Sequence, residues 1–475
     1  MENDSIVLYP SQGRGHLFVT IELGNRLLAQ YPSFSIHIII STAPSQVPVS
    51  ATELSAAVTG PSISFHHLPP TSLSKTYTPQ QAPDLSYDLA ELSNPKLHES
   101  LLKISETSVV KALIIDFFNT SAFQVSSQLE IPTYFFFTSG AGALAVFLYF
   151  PTIHEHARKS LKDLDGYQIE VPGLPPVPSI AMPVAMLDRT TEVYHCFMKT
   201  ALQFTKCDGI ILNSFELLEK RMIDSILNRD CTPGMKTPPL YCIGPVITNG
   251  DSVPPRRHEC LTWLDSQPSR SVVFLCFGST GVFSSKQLNE IAVALETSNV
   301  RFLWVVRKPP QSDQDPTLKS FLPHGFVSRT NDRGVIVDNW APQVEVLSHD
   351  SVGAFVTHCG WNSILEAVRA GVPMLAWPLY AEQKLNRVFL VEEMKVALWV
   401  AESDKDGLVS ASELEKRLTE LLDSEKGREV RKRVEIMRDG AIAAMREGES
   451  STVALKKLIL SLKQEHRREL CCDSK

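Results

Sequence analysis

Two stretches of the N-terminal half hold residues able to move a proton. His16 closes the segment Pro10-Ser-Gln-Gly-Arg-Gly-His16 and directly precedes the helical pattern Leu17–Gln30. A helix N-terminus disfavours the imidazolium, and a neutral imidazole is a competent general base near neutral pH. The plain alternative is a surface or capping histidine. Asp116 stands near the end of the apolar run Lys111–Phe118. The C-terminal end of a parallel strand faces the ligand side of a sheet, where a carboxylate can fix a histidine tautomer and stabilise the imidazolium. It can equally cap the turn that Asn119-Thr-Ser121 begins. Gly13 and Gly15 open a dinucleotide-binding pattern, but its third position is Phe18, and residues 35–42 lack the acidic residue that such a site places on a ribose. A nicotinamide-dependent oxidoreductase is thereby disfavoured.

A denser polar set runs from Trp340 to Gln383 in the C-terminal half. Trp340 offers a flat face for a uracil ring. Gln343 can present an amide near base or ribose, and Glu366 can accept both ribose hydroxyls. His358-Cys-Gly-Trp-Asn-Ser363 reads as a strand-to-helix turn. Its backbone N–H groups, with the His, Asn and Ser side chains, suit a diphosphate at the positive end of a helix. Glu382 and Gln383 follow the next strand and can bond sugar hydroxyls. Aromatic and aliphatic packing alone accounts for Val352–Val356 and Ile364–Ala370, but not for polar residues at successive strand ends.

The elements that must hold these residues alternate regularly. Strand patterns cover Ser5–Pro10, Phe34–Ser41, Lys111–Phe118, Ile131–Thr138, Gly209–Asn213 and Leu240–Gly244, with helical stretches such as Leu17–Gln30 and Asn94–Ser108 between them. Residues 245–257 are rich in Pro and turn formers and read as a linker. The alternation restarts with strands at Ser271–Ser279, Arg301–Val306, Gly334–Val337, Val352–Thr357 and Val372–Trp377, and ends in helices at Ser410–Leu422, Ser424–Glu447 and Ser450–Lys463. Unbroken apolar strands alternating with helices imply α/β, doubly wound parallel sheets. The uncharged stretch Ile131–Ile153 is long enough to span a bilayer, but Pro132, Gly140, Gly142 and Pro151 interrupt it. It reads as a strand, a turn and a buried helix.

Composition narrows the partners. The 475 residues carry 46 Lys+Arg against 53 Asp+Glu, a net charge of −7. A mildly acidic chain argues against nucleic acid and polybasic membrane binding. The nine cysteines form no C-x-x-C, and the N-terminus shows no basic segment followed by an apolar core. A reduced, cytoplasmic protein without disulfides, structural zinc or an integral membrane span is expected.

The segment Trp340–Gln383 resembles the donor-binding box of plant UDP-dependent glycosyltransferases of secondary metabolism. W-x-P-Q, H-C-G-W-N-S, the Glu six residues beyond Gly360 and the closing E-Q are all in place. The resemblance extends to His16 in P-x-x-G-x-G-H, Asp116, Ile243-Gly244-Pro245 and Phe277-Gly-Ser279. It implies a GT-B architecture of two Rossmann-like domains facing across a cleft. The expected organisation is an acceptor domain at 1–246, a linker at 247–260, a UDP-sugar domain at 261–449 and, over 450–475, a helix packing back on the first domain, with a tail.

The resemblance also distributes roles. His16 is the base and Asp116 its partner. Trp340, Ala341, Gln343 and Glu366 hold uridine. Ser279, His358, Gly360, Asn362 and Ser363 hold the diphosphate. Thr138, Trp361, Tyr380, Glu382 and Gln383 meet the sugar. Trp361 and Gln383 point to UDP-glucose rather than UDP-glucuronate or UDP-galactose. Gly15, Phe117, Phe118, Phe137, Met182, Met186, Tyr194 and Phe197 are assigned to the acceptor, the last four as its lid, although the phenylalanines suit a core equally well. The implied reaction is inverting and metal-independent glucosylation of a flavonoid-type phenol by a monomer, with UDP-glucose as donor substrate and no cofactor. O-transfer is the first reading, C-transfer to the ring the second, and a silent UDP-sugar binder the third. Asp313-Gln-Asp315 has the form of a metal–diphosphate motif but reads as a solvated loop.

Overall fold

The structure, a computed structural model, describes residues 4–43, 48–78, 81–248, 257–308, 321–403 and 405–464. Asp313, Asp315 and the Cys471-Cys472 pair lie outside them, as do 249–256 of the expected linker.

Fifteen strands are present among the described residues: β1 Asp4–Tyr9, β2 Ser35–Ile40, β3 Ile63–His67, β4 Val109–Asp116, β5 Thr133–Phe137, β6 Gln168–Ile169, β7 Val177–Pro178, β8 Gly209–Leu212, β9 Leu240–Cys242, β10 Val272–Cys276, β11 Arg301–Val306, β12 Gly334–Asp338, β13 Val352–Thr357, β14 Met374–Ala376 and β15 Ala397–Trp399. The first sheet has the order β3-β2-β1-β4-β5-β8-β9 and the second β12-β11-β10-β13-β14-β15. Every pairing within both is parallel; β6 and β7 form a small antiparallel hairpin. In each sheet the strand order reverses beside the first strand, between β1 and β4 and between β10 and β13. In open α/β sheets ligands bind outside the strand C-termini at such points.

Some elements depart from the sequence reading. The helix expected from Asn94 begins at Ala82 and carries Pro95 inside it. β3 and β15 are edge strands of mixed composition that alternation does not mark. The uncharged stretch resolves into β5 and the helix Ala141–His156, and no helix of the described residues is long and apolar enough to cross a membrane.

Helices cover both faces of each sheet. On one face of the first, Ile6, Leu8, Ile36, Ile38 and Ile114 meet the helix Arg14–Gln30 and, from the far end of the chain, Leu455, Leu458, Ile459 and Leu462. That last helix, Ser450–Lys463, is pinned by Tyr134 Oη to Ser461 Oγ at 2.7 Å and by Ser451 Oγ donating to the Gly244 carbonyl at 2.6 Å. The opposite face shares one apolar cluster with the second sheet. The crossing is tight at Gly142, where a Cβ would lie 2.3 Å from the Phe389 ring.

Candidate active site

His16 and Asp116 are brought together at the reversal point of the first sheet. β1 ends at Tyr9, and the chain turns through Gly13, whose φ of 104° suits only glycine, into the helix Arg14–Gln30. His16 thus stands in its first turn. Its Nδ1 lies 2.7 Å from Asp116 Oδ2 and 3.3 Å from Thr138 Oγ1. The His16 side chain is 32% exposed and that of Asp116 1%. Asp116 makes one contact with each oxygen: Oδ1 accepts from the Phe117 amide at 2.6 Å and caps the turn Phe117–Asn119, while Oδ2 meets the imidazole. An Nδ1–H donated to this carboxylate leaves Nε2 as the basic nitrogen. Burial works against the imidazolium, but the charge and hydrogen bond of Asp116, with Glu382 more weakly, outweigh it and raise the His16 pKa. This corrects the expectation from the helix N-terminus: a paired carboxylate at contact distance dominates partial charges spread over a turn.

Asn119 stitches the two strand ends together. Its Nδ2 donates to the carbonyls of Tyr9 and Pro10 at 2.8 and 2.9 Å. Asn119 is therefore buried, with its amide nitrogen fully engaged.

The second site forms where β10, β13 and β14 end. His358 is enclosed by Gly278 and Gly360: a Cβ on either would fall 2.4 Å from its Nε2. Burial lowers its pKa to about 4, so the imidazole is neutral. Its Nδ1 is buried with no partner among the described residues. Gly360 precedes the ten-residue helix Trp361–Ala370, whose N-terminus has no side-chain cap. Gln343 Nε2 donates to Ser363 Oγ at 2.8 Å and to Glu366 Oε2 at 2.7 Å. Trp340 is 40% exposed and sets its ring against His258 at 5.8 Å; Ala341 behind it is buried. Ser279 is exposed next to Gly278, whose carbonyl accepts from Arg307 Nε at 3.2 Å.

Hydrogen bonds among the described residues join the two sites across the cleft. Asn362 Nδ2 donates to the Gly15 carbonyl at 3.2 Å. Trp361 Nε1 donates to the Asn213 carbonyl at 2.7 Å, with its ring against Gly140. Ser139 Oγ donates to Glu382 Oε1 at 3.1 Å. The Val184 amide donates to the Ala381 carbonyl at 3.2 Å. Gln383 is buried, its Oε1 accepting from the Leu379 and Tyr380 amides, and the Tyr380 ring stands 6.0 Å from that of His358. Trp361 is buried with its only N–H used, so a sugar can meet only its ring.

The acceptor residues divide. Phe118 is half-buried and edge-on to His16 at 6.2 Å. Phe117, Phe137 and Phe197 are buried behind it in a nest of edge-to-face rings, with Phe117–Phe197 at 5.2 Å and Phe117–Phe137 at 6.1 Å. The expected lid needs correction. Met182, Met186 and Tyr194 are buried in the core, and Tyr194 Oη bonds His154 Nδ1 at 2.8 Å rather than facing the dyad. The short turns Ser179–Ala181 and Val184–Met186 instead expose Ile180 and Val184, at 57% and 56%. Hydrophobicity alone does not say which apolar residue of a turn points inward.

Sequence reasoning passed over Ser139, Asn213 and Glu219. Ser139 and Asn213 adjoin strand ends, a positional signal. Glu219, a buried carboxylate on a helix, gives none in sequence.

The chain is similar to known proteins over nearly its whole length. The UDP-glucoronosyl and UDP-glucosyl transferase family model matches residues 240–442. An anthocyanidin 5,3-O-glucosyltransferase from a Rosa hybrid cultivar is 50% identical, covering 98% of this chain and 100% of its own. Isoflavone 7-O-glucosyltransferase 1 of Glycine max is 45% identical, covering 97% and 99%. Among solved structures, Phytolacca americana UGT2 complexed with UDP-2fluoro-glucose and pterostilbene superposes with a TM-score of 0.88 at 35% identity, covering 97% and 100%.

Proposed function

Since this chain belongs to the UDP-glucoronosyl and UDP-glucosyl transferase family and has its GT-B fold, we propose that it transfers glucose from UDP-glucose to a phenolic hydroxyl of a flavonoid-type acceptor, with inversion. The observation that carries the reading is the Asn362–Gly15 hydrogen bond. It sets the uncapped helix of the diphosphate turn beside the residue preceding the base, so acceptor oxygen, anomeric carbon and leaving group can lie in one line.

His16 Nε2 takes the phenol proton as the oxygen attacks C1. The C1–O bond to UDP breaks with its electron pair passing to the diphosphate, which the helix N-terminus stabilises. His16⁺ is held by Asp116 until it releases the proton. Trp340 stacks on uracil, Gln343 and Glu366 meet the ribose, and Ser279, Asn362 and Ser363 surround the diphosphate. Thr138, Glu382 and Gln383 take the sugar hydroxyls. Phe118 and Gly15 border the acceptor. The names of the two flavonoid-acting relatives support O-transfer to such phenols. Seven free cysteines among the described residues suit a reducing compartment, and we place the activity in the cytoplasm.

The test is mass spectrometry of the purified protein with UDP-glucose and a panel of flavones, chalcones, isoflavones and simple phenols, each product then being heated in acid. An acid-labile hexose adduct is expected. An acid-stable adduct would establish C-transfer instead, and tight UDP-glucose binding with no adduct on any phenol would establish a silent binder.

Two substitutions probe the donor side. Trp340→Ala is expected to weaken UDP binding by calorimetry about 10- to 100-fold, the value of one base–aromatic stack; an unchanged Kd removes Trp340 from the base. Gln383→His is expected to lower the preference for UDP-glucose over UDP-galactose, and an unaltered ratio removes Gln383 from sugar selection.

A further inference from the structure

We infer that Ser139, held in place by Glu219, is a positioning residue that aims the Glu382 carboxylate and thereby sets the enzyme's selectivity between hexose donors. The inference rests on the donor reading above and concerns residues to which that reading gives no role.

Glu382 receives two hydrogen bonds, both on Oε1: from Ser139 Oγ at 3.1 Å and from Asn386 Nδ2 at 3.5 Å. Oε2 has no partner among the described residues. Asn386 lies one helical turn away on the same element, so it moves with Glu382. Ser139 comes from the opposite domain and is the outside reference that fixes the carboxylate's angle. With one oxygen anchored, the other points in a set direction. Glucose and galactose differ only in whether the C4 hydroxyl is equatorial or axial. A carboxylate of fixed direction separates them, and a rotating one accepts both.

Ser139 needs a rigid support of its own, and Glu219 supplies it. The loop Thr138-Ser139-Gly140 joins β5 to the helix Ala141–His156. The first two amides of that helix donate to Glu219 at 2.8 and 2.9 Å, and Ser214 Oγ donates to the same carboxylate. Glu219 is buried, and burial raises its pKa despite these bonds. A carboxylate in that position must be surrounded by donors, and here they are the N-terminal N–H groups of a helix, which favour negative charge. To reach them Glu219 leaves helical geometry, with φ −132° and ψ 35° inside the helix Glu216–Leu227. Its Oε1 also lies 2.8 Å from where a Cβ on residue 140 would be. Only glycine lets the loop pass this close. The same loop carries Thr138 to His16, so one buried carboxyl group supports contacts to both the base and the sugar side.

Transfer to one phenol is measured with UDP-glucose and with UDP-galactose for wild type, Ser139→Ala, Ser139→Thr and Glu219→Gln, with UDP affinity by calorimetry. Ser139→Ala is expected to lower the glucose-to-galactose ratio of kcat/KM about tenfold, the effect of one lost hydrogen bond to a charged group, with UDP affinity within about twofold. Ser139→Thr keeps the hydroxyl and is expected to restore the ratio. In Glu219→Gln an NH₂ group faces N–H donors, and the same loss of ratio is expected. A ratio in Ser139→Ala within twofold of wild type overturns the inference while the donor reading stands. If Glu219→Gln does not fold, the Ser139 pair decides alone. A wild type that transfers from neither sugar nucleotide overturns the donor reading, and this inference with it.

Discussion

His16→Ala is expected to lower kcat for phenol glucosylation by about 10²- to 10⁴-fold, the usual contribution of a positioned general base, while UDP binds as before. The separation of the two effects follows from the structure. His16 follows the first strand of the first sheet, with Nδ1 turned to Asp116, and the residues proposed to hold uridine, Trp340, Gln343 and Glu366, belong to the second. Phenols titrate near pKa ~10, so at neutral pH nearly every acceptor arrives protonated. The loss is therefore expected to shrink across a series of increasingly acidic phenols, which need the base less. A kcat within threefold of wild type would falsify the assignment, as would an equal loss on every phenol of the series.

The second large effect concerns the dyad's electrostatics. Asp116 raises the His16 pKa, and a general base works only when neutral. Activity in wild type is thus expected to fall as pH drops through a midpoint above the ordinary histidine value of about 6.5. Asp116→Asn removes the charge that stabilises the imidazolium, so the midpoint is expected to move to lower pH. The rate on the plateau is expected to fall by about 10³- to 10⁴-fold, because the amide can donate to Nδ1 and select the wrong tautomer. Both signs are read in one experiment, a kcat/KM profile of the two proteins against pH. An acid limb that stays in place separates Asp116 from the titration, and the residue is then a turn cap alone.

The chemistry was more legible than its surroundings, for a physical reason. His16, Asp116, Trp340 and His358 lie at strand ends or first helical turns, where strand boundaries and side-chain type can be read locally. The parallel sheets were legible for the same reason, since strands covered on both faces are unbroken apolar runs. What failed depended on long-range packing. Met182, Met186 and Tyr194 are as apolar as an exposed lid residue, and only their neighbours put them in the core. β3 and β15 are edge strands whose composition gives no period. Glu219 is the clearest case. Its partners, the amides of Ala141 and Gly142, are 78 and 77 residues away, and no local pattern announces a carboxylate folded under a distant helix.

The helix Ser450–Lys463 has a consequence for how the molecule comes into being. It covers part of one face of the first sheet, over β9 and β4, with Tyr134 bonded to its Ser461, yet a ribosome makes it after the whole second sheet. Domains commonly fold in order of synthesis, but here part of a face of the first sheet stays uncovered until the second sheet has been made. This helix acts as a clasp, and a nascent chain stalled anywhere in the C-terminal half would carry His16 on an unfinished domain.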